Sequence, residues 1–220
     1  MVSIIKLIRK EMVLELKNKA ALGSMLLYAV ASIYISYLCF RRITDVPTWN
    51  ALFWIIILFA SFNVAGRSFD KEGNGREIYL FTLLSPEGII IGKMVFNALL
   101  MMVLGFFSLL VFVLLLGGQV WQQADWGMVS LAVLMGGAGF GLILTLIAGI
   151  AFKTDNHMGL MAILGFPVIL PYLLTLVRFS KNSLDGIDWS VNYPYFLTLL
   201  LLDGVVLVLG YILFPYLWRD

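Results

Sequence analysis

The chain has 220 residues, of which 61% are hydrophobic and only 13% are charged, and its mean hydropathy is +0.97. Soluble domains carry about 25% charged residues, so this composition excludes a water-soluble globular protein. The formal charge is only +2, and we expect no nucleic-acid partner. Cys39 is the single cysteine, which excludes an intramolecular disulfide and a thiolate metal cluster.

The first 19 residues predict an amphipathic helix at the membrane interface. At 100° per residue, four basic side chains fall within an arc of roughly 100°, and five apolar side chains occupy the neighbouring arc. These are Arg9, Lys6, Lys17 and Lys10 on the basic side and Ile4, Ile8, Met12, Ile5 and Leu16 on the apolar side. Such a helix can lie in the headgroup plane, and it can equally serve as a simple topology anchor.

The rest of the chain contains six apolar runs that are long enough to cross a bilayer, since a spanning helix needs about 20 such residues. We therefore predict an all-α integral membrane protein with a single transmembrane domain covering residues 1–220. The expected spans are approximately 20–40, 48–66, 94–117, 127–151, 157–178 and 195–217. All six tryptophans lie at or near predicted span ends, and we interpret them as interface anchors. They are Trp49, Trp54, Trp121, Trp126, Trp189 and Trp218.

The distribution of basic residues predicts the orientation of these spans. With the N-terminus inside, eleven of the 15 Lys and Arg residues fall on inner segments and four on outer segments. Because inner loops carry the excess of Lys and Arg, both termini are expected in the cytoplasm.

Residues 68–92 form the one sizeable inner connection. Residues 73–75 are a Gly-Asn-Gly turn signal, and residues 76–84 have the pattern of a short amphipathic helix. Ser85 and Pro86 then provide an N-cap and a first helical residue for the next helix. The segment is predicted to be a cytoplasmic docking platform.

Several residues inside the spans indicate special packing or polarity. Gly137 and Gly141 form a small-xxx-small pair that permits close helix approach, within one chain or between subunits. Pro167 and Pro171 share one face and each removes a backbone hydrogen bond, which predicts a kinked or broken helix. Asp203 is an acid within a span, so it is either a functional intramembrane group or a hydrogen-bonding partner of a neighbouring helix.

The sequence contains no recognisable catalytic set and no metal site. The Gly88–Lys93 stretch is one residue too short for a phosphate-binding loop, and Met94 stands where a Ser or Thr is needed. Any ATP must therefore be hydrolysed by another chain, and we expect no cofactor bound by this chain alone. His157, the only histidine, has the position of an interfacial polar residue. An intramembrane enzyme using His157 and Asp203 is an alternative, which their predicted placement near opposite helix ends argues against.

Residues 75–86 read Gly-Arg-Glu-Ile-Tyr-Leu-Phe-Thr-Leu-Leu-Ser-Pro, and residues 91–93 read Ile-Gly-Lys. Together with residues 165–172, Gly-Phe-Pro-Val-Ile-Leu-Pro-Tyr, they resemble the cytochrome c maturation protein B family. These proteins are membrane subunits of an ABC-type haem-exporter complex. The similarity extends along nearly the whole chain.

The resemblance implies an ABC-2-type, permease-like subunit that binds a cytoplasmic ATPase and transmits its conformational cycle. The implied contact residues are Arg76, Glu77, Tyr79, Leu80, Leu83, Ser85 and Pro86. The implied partners are a haem-handling membrane subunit and a small membrane subunit, with two copies of this chain per complex in a bacterial inner membrane. Haem would be handled by the complex, for export or for release of a haem-loaded chaperone. A generic exporter permease for lipid, polysaccharide or drug is the alternative.

Overall fold

A computed structural model describes residues 4–40, 45–69, 86–117, 123–152 and 157–217. These residues form seven helices, and no β-strand occurs among them. The helices are α1 (Ile4–Lys17), α2 (Lys19–Phe40), α3 (Val46–Gly66), α4 (Pro86–Leu116), α5 (Trp126–Ala151), α6 (His157–Leu184) and α7 (Trp189–Leu217).

Polar caps fix where several helices begin. Asp45 caps α3 by accepting a hydrogen bond from the Thr48 backbone N–H at 2.9 Å. Hydrogen bonds from Thr48 hold the pKa of the Asp45 carboxyl below its usual range. Asp125 caps α5 in the same way. Helix α4 begins at Pro86 with Glu87 in its first turn, which confirms the predicted start of this helix.

Helices α2 to α7 are each long and apolar enough to cross a bilayer. Their number and character confirm an all-α integral membrane protein with six spanning helices. Helix α5 is the central helix, because 78% of the residues in its most apolar stretch are buried. The corresponding share is 17% for α2 and 22% for α7. The outer helices therefore present most of their apolar surface to lipid.

The glycines of α5 allow α4 to pack directly against it. A Cβ atom added at Gly141 would stand 2.5 Å from the Cα of Ala98, and one at Gly137 would stand 2.8 Å from the Cα of Met102. Backbone atoms cannot move aside as a side chain can. Both glycines are therefore required for close helix approach, as predicted, and this approach lies within one chain.

The connection between the last two spans is much shorter than the sequence pattern indicated. The expected ends at residues 178 and 195 left a long polar loop, but α6 continues to Leu184 and α7 begins at Trp189. Phe179 and Leu184, both at most 1% exposed, pack against the bundle. The end of α6 is therefore amphipathic and stays helical beyond its most apolar part.

Two of the six tryptophans are core residues, so the prediction that these two are interface anchors was wrong. Trp49 and Trp54 are only 1% and 2% exposed. The Trp49 Nε1–H donates to the Leu116 carbonyl at 3.1 Å, and the Trp54 Nε1–H donates to the Ser180 hydroxyl at 2.7 Å. With its polar atom paired in this way, an indole ring can be buried fully.

Candidate functional site: the two stems of the coupling segment

Helix α3 ends at Gly66, a turn continues to Phe69, and α4 begins at Pro86. We call residues 70–85 the coupling segment, and we call the two parts that flank it, residues 67–69 and the first turns of α4 (residues 86–93), its stems. Pro86, the first residue of α4, is half-buried. The other predicted ATPase-contact residues lie outside the described residues, namely Arg76, Glu77, Tyr79, Leu80, Leu83 and Ser85.

Lys93 ties the two stems together. Its Nζ donates a hydrogen bond to the Ser68 carbonyl at 2.6 Å and lies 4.9 Å from the centre of the Phe69 ring. Asn97, one turn further along α4, donates from Nδ2 to the Ser68 hydroxyl at 2.5 Å and to the Thr145 hydroxyl at 2.8 Å. The turn after α3, the start of α4 and the central helix α5 are thus connected by the side chains of Lys93 and Asn97.

Helix α1 docks on the same point. A Cβ atom at Gly92 would stand 2.5 Å from Cδ2 of Leu7, so Gly92 makes room for this side chain. Glu11 Oε1 lies 3.9 Å from Lys93 Nζ. Leu7, Glu11 and Glu15 are spaced by four residues and share one helix face, and Glu15 is also buried. Helix α1 is therefore packed on α4 through an apolar contact and an ion pair.

The face that α1 turns to the protein was not predicted by its helical pattern. The apolar arc predicted a helix at the membrane interface, and Met12 on that arc is 42% exposed. The protein-facing side carries two glutamates beside Leu7. The sequence contained a signal for this contact, because Glu11 and Glu15 lie four residues apart on a basic helix. Acids that are buried in this way need a cationic partner such as Lys93.

A second polar contact lies at mid-height in the membrane domain. Asp203 is 14 residues from either end of α7, which is roughly 21 Å along the axis. It is 8% exposed, and its Oδ2 lies 3.5 Å from the Tyr172 hydroxyl oxygen, at the outer limit of a hydrogen bond. The Tyr172 hydroxyl donates to the Met135 carbonyl at 2.6 Å. This geometry joins α5, α6 and α7.

The second carboxylate oxygen of Asp203 takes no part in this contact. This atom, Oδ1, is buried without a hydrogen-bond partner among the described residues. The Tyr172 ring lies directly against Gly139, where a Cβ atom would collide with it. Asp203 is therefore a buried contact at the centre of α7, and its functional role remains a prediction.

The proline pair lies within one continuous helix. Helix α6 includes both Pro167 and Pro171 without interruption, which excludes the broken form; the kink stays a prediction. The Thr175 hydroxyl donates to the Pro171 carbonyl at 3.0 Å and gives that acceptor a side-chain partner.

The geometry argues against acid–base chemistry within the membrane. His157 is the first residue of α6, and Tyr172, which contacts Asp203, lies 15 residues further along the helix. That spacing is roughly 22 Å along the axis, too far for proton exchange between His157 and Asp203. The described residues also contain no group of three or more His, Cys, Asp and Glu that can hold a metal ion.

Six spanning helices, with the polar contacts of Lys93 and Asn97 at one end of the bundle, define a polytopic α-helical membrane protein. The profile of the CcmB protein family matches residues 2–215, nearly the entire chain, and the chain therefore belongs to this family. It is accordingly a transporter permease subunit, the membrane component of a haem-exporting ABC complex in cytochrome c maturation. No curated protein matches the chain significantly.

Proposed function

We propose that this chain couples a cytoplasmic ATPase to haem export or to release of a haem-loaded chaperone, and that the ATPase binds it through residues 76–86. The observation that carries this proposal is the set of contacts made by the Lys93 side chain. Its contacts with Ser68, Phe69 and Glu11 tie both stems and α1 into one unit. A force on the coupling segment would therefore reach three helices at once.

The path into the membrane runs through Asn97. Because Asn97 donates to both Ser68 and Thr145, movement of the stems is linked to the central helix α5. Helix α5 packs against α3, α4, α6 and α7. Displacement of the stems would thus be distributed over the spanning helices without any chemistry in this chain.

Membership of the CcmB family supports the proposed complex. That complex would contain the ATPase, a haem-handling membrane subunit, a small membrane subunit and two copies of this chain in a bacterial inner membrane. The excess of Lys and Arg on the segments at the N-terminal side supports cytoplasmic termini. The coupling segment would then face the compartment that holds ATP.

Alanine substitution within the coupling segment tests the proposal. Glu77→Ala, Tyr79→Ala and Leu83→Ala should abolish stimulation of the ATPase in reconstituted complexes while membrane insertion is retained. Gln123→Ala, in the connection between α4 and α5 at the other end of the bundle, is the control and should leave stimulation unchanged. Unchanged co-purification and stimulation in all three segment variants would overturn the proposal.

The same mechanics would suit an exporter permease for lipid, polysaccharide or drug. Family membership favours the haem-linked complex. A spectroscopic haem assay on the assembled complex distinguishes the two, because only the haem-linked complex should co-purify with a haem absorption band.

A further inference from the structure

A cavity of about 120 Å³ lies between α1, α2, α3 and α4, at the end of the bundle where the stems are. Its lining carries two acids, Glu11 and Glu15, and two bases, Arg67 and Lys93. These four charges balance. Lys93 is 3% and Glu15 8% exposed, so charged groups of both signs are held here largely away from bulk water.

A second cavity of about 220 Å³ adjoins the first and shares Met25 and Arg67 with it. It lies between α2 and α3 and reaches Ala60, seven residues from Arg67 on the same helical path, or roughly 10 Å deeper in the bundle. Tyr28, on its wall, is 37% exposed, and α2 is the least buried spanning helix. One wall of the second cavity is therefore formed by the spanning helix with the largest outward-facing surface.

Arg67 stands where the two cavities meet. Its Nε donates to the Asn63 carbonyl at 3.2 Å and its Nη1 to the Ser24 hydroxyl at 3.0 Å. These bonds fix the guanidinium plane while using only two of its five N–H donors among the described residues. A guanidinium held in this way is suited to a phosphate, which it can bind through two parallel hydrogen bonds.

We propose that the two cavities bind one phospholipid whose headgroup carries a phosphate and a primary ammonium, as phosphatidylethanolamine does. The phosphate would pair with Arg67, the ammonium with Glu11 and Glu15, and the first part of an acyl chain would occupy the α2–α3 cavity.

Charge and donor chemistry select this headgroup. A zwitterion leaves the balance of two acids and two bases unchanged, whereas phosphatidylglycerol would add a net negative charge beside two glutamates. Carboxylates only accept hydrogen bonds, and an ammonium supplies three N–H donors. Phosphatidylcholine has the same net charge but no N–H donor, so it is the matched control lipid. The site does not depend on the proposed coupling function.

Native mass spectrometry of the full chain, released from micelles doped with each lipid in turn, tests the proposal. Phosphatidylethanolamine should be retained about tenfold more strongly than phosphatidylcholine or phosphatidylglycerol, because hydrogen bonds to charged groups are the strong ones. Equal retention of the three lipids would overturn the proposal. Soluble glycerophosphoethanolamine should not compete at equal concentration; effective competition would assign the site to a free phosphate-amine compound and overturn the lipid assignment.

Two variants separate recognition from a structural role. Glu15→Gln should remove the preference for phosphatidylethanolamine, a loss of about tenfold, and leave phosphatidylcholine retention unchanged. Arg67→Gln should weaken both lipids, since they share the phosphate. Asp185→Asn, a neutralisation at the opposite end of the bundle, should change neither. If Glu15→Gln weakened both lipids equally, or left the preference intact, the assignment of the ammonium to this site would be overturned.

Discussion

Lys93 on α4 and Glu11 on α1 bring opposite charges to within 3.9 Å, with side chains only 4% and 12% exposed. Because desolvation opposes the attraction, such a pair adds little net stability, but loss of one partner leaves the other charge buried. The pair therefore specifies where α1 docks more than it strengthens the fold. It also places the N-terminal helix in direct contact with the residue that ties both stems.

A double-mutant cycle tests this pair. Glu11→Gln and Lys93→Met should each lower the free energy of unfolding in detergent, and Lys93→Met more, because Lys93 also bonds Ser68. The double variant should be less destabilised than the sum by about 0.5–3 kcal/mol, the range for contacting residues. Asp185→Asn, in the exposed pair with Lys181, should change stability by less than about 1 kcal/mol. Strict additivity would show that Glu11 and Lys93 do not interact.

The close approach of α4 to α5 predicts opposite results at two glycines. Gly141→Ala places a methyl group against the Ala98 backbone and should destabilise the protein by about 1–3 kcal/mol. Gly204→Ala, where nothing lies within 4 Å, should be neutral or stabilise by up to about 1 kcal/mol. Detergent-denaturation midpoints measure both, and equal effects would contradict the proposed packing.

The hydroxyl of Tyr172 is predicted to stabilise the junction of α5 and α6. Tyr172→Phe removes the hydrogen bond to the Met135 carbonyl and should lower the unfolding free energy by about 1 kcal/mol. Tyr211→Phe is the control, because that side chain is 60% exposed. A loss at Tyr211 as large as that at Tyr172 would indicate a general effect of the hydroxyl and not this bond.

The Asp45 cap predicts a pH dependence. Thr48, through its side chain first and its backbone N–H second, lowers the pKa of Asp45 in the folded state. The stabilisation is therefore fully present above the unfolded pKa near 3.8 and is lost as the pH falls through the lower folded pKa. Asp45→Asn retains a capping acceptor but cannot titrate.

Acid titration of the two proteins, followed by tryptophan fluorescence, measures this effect. The Asp45→Asn variant should lose less stability than the parent protein as the pH falls below about 4. Identical acid sensitivity would show that Asp45 contributes nothing to the pH dependence.

The number of spans was predictable because length and apolarity alone decide which helices a bilayer accepts. The close helix approach at Gly141 was also predictable, because a pair of small residues four positions apart is a local sequence pattern. The contacts of Lys93 were not, because Ser68 and Glu11 are 25 and 82 residues away in sequence. Nothing in a linear pattern specifies which distant groups meet at the end of a bundle.

Burial was also hard to predict where polar atoms find partners. Tryptophan is typical of membrane interfaces, and only the hydrogen bond from Trp49 to the Leu116 carbonyl explains why this side chain is buried. The depth of Asp203 depended on where α7 begins. Once Trp189 is the first residue, Asp203 falls at the helix centre, a position that the apolar run alone left undefined.

Cysteine labelling at the coupling segment tests the central claim most directly. In a Cys39→Ser background, Gly75→Cys should react with a membrane-impermeant maleimide only from the cytoplasmic side, and bound ATPase should protect it. Asp185→Cys should react only from the opposite side and without protection. Labelling of Gly75→Cys from outside, or no protection by the ATPase, would contradict the account.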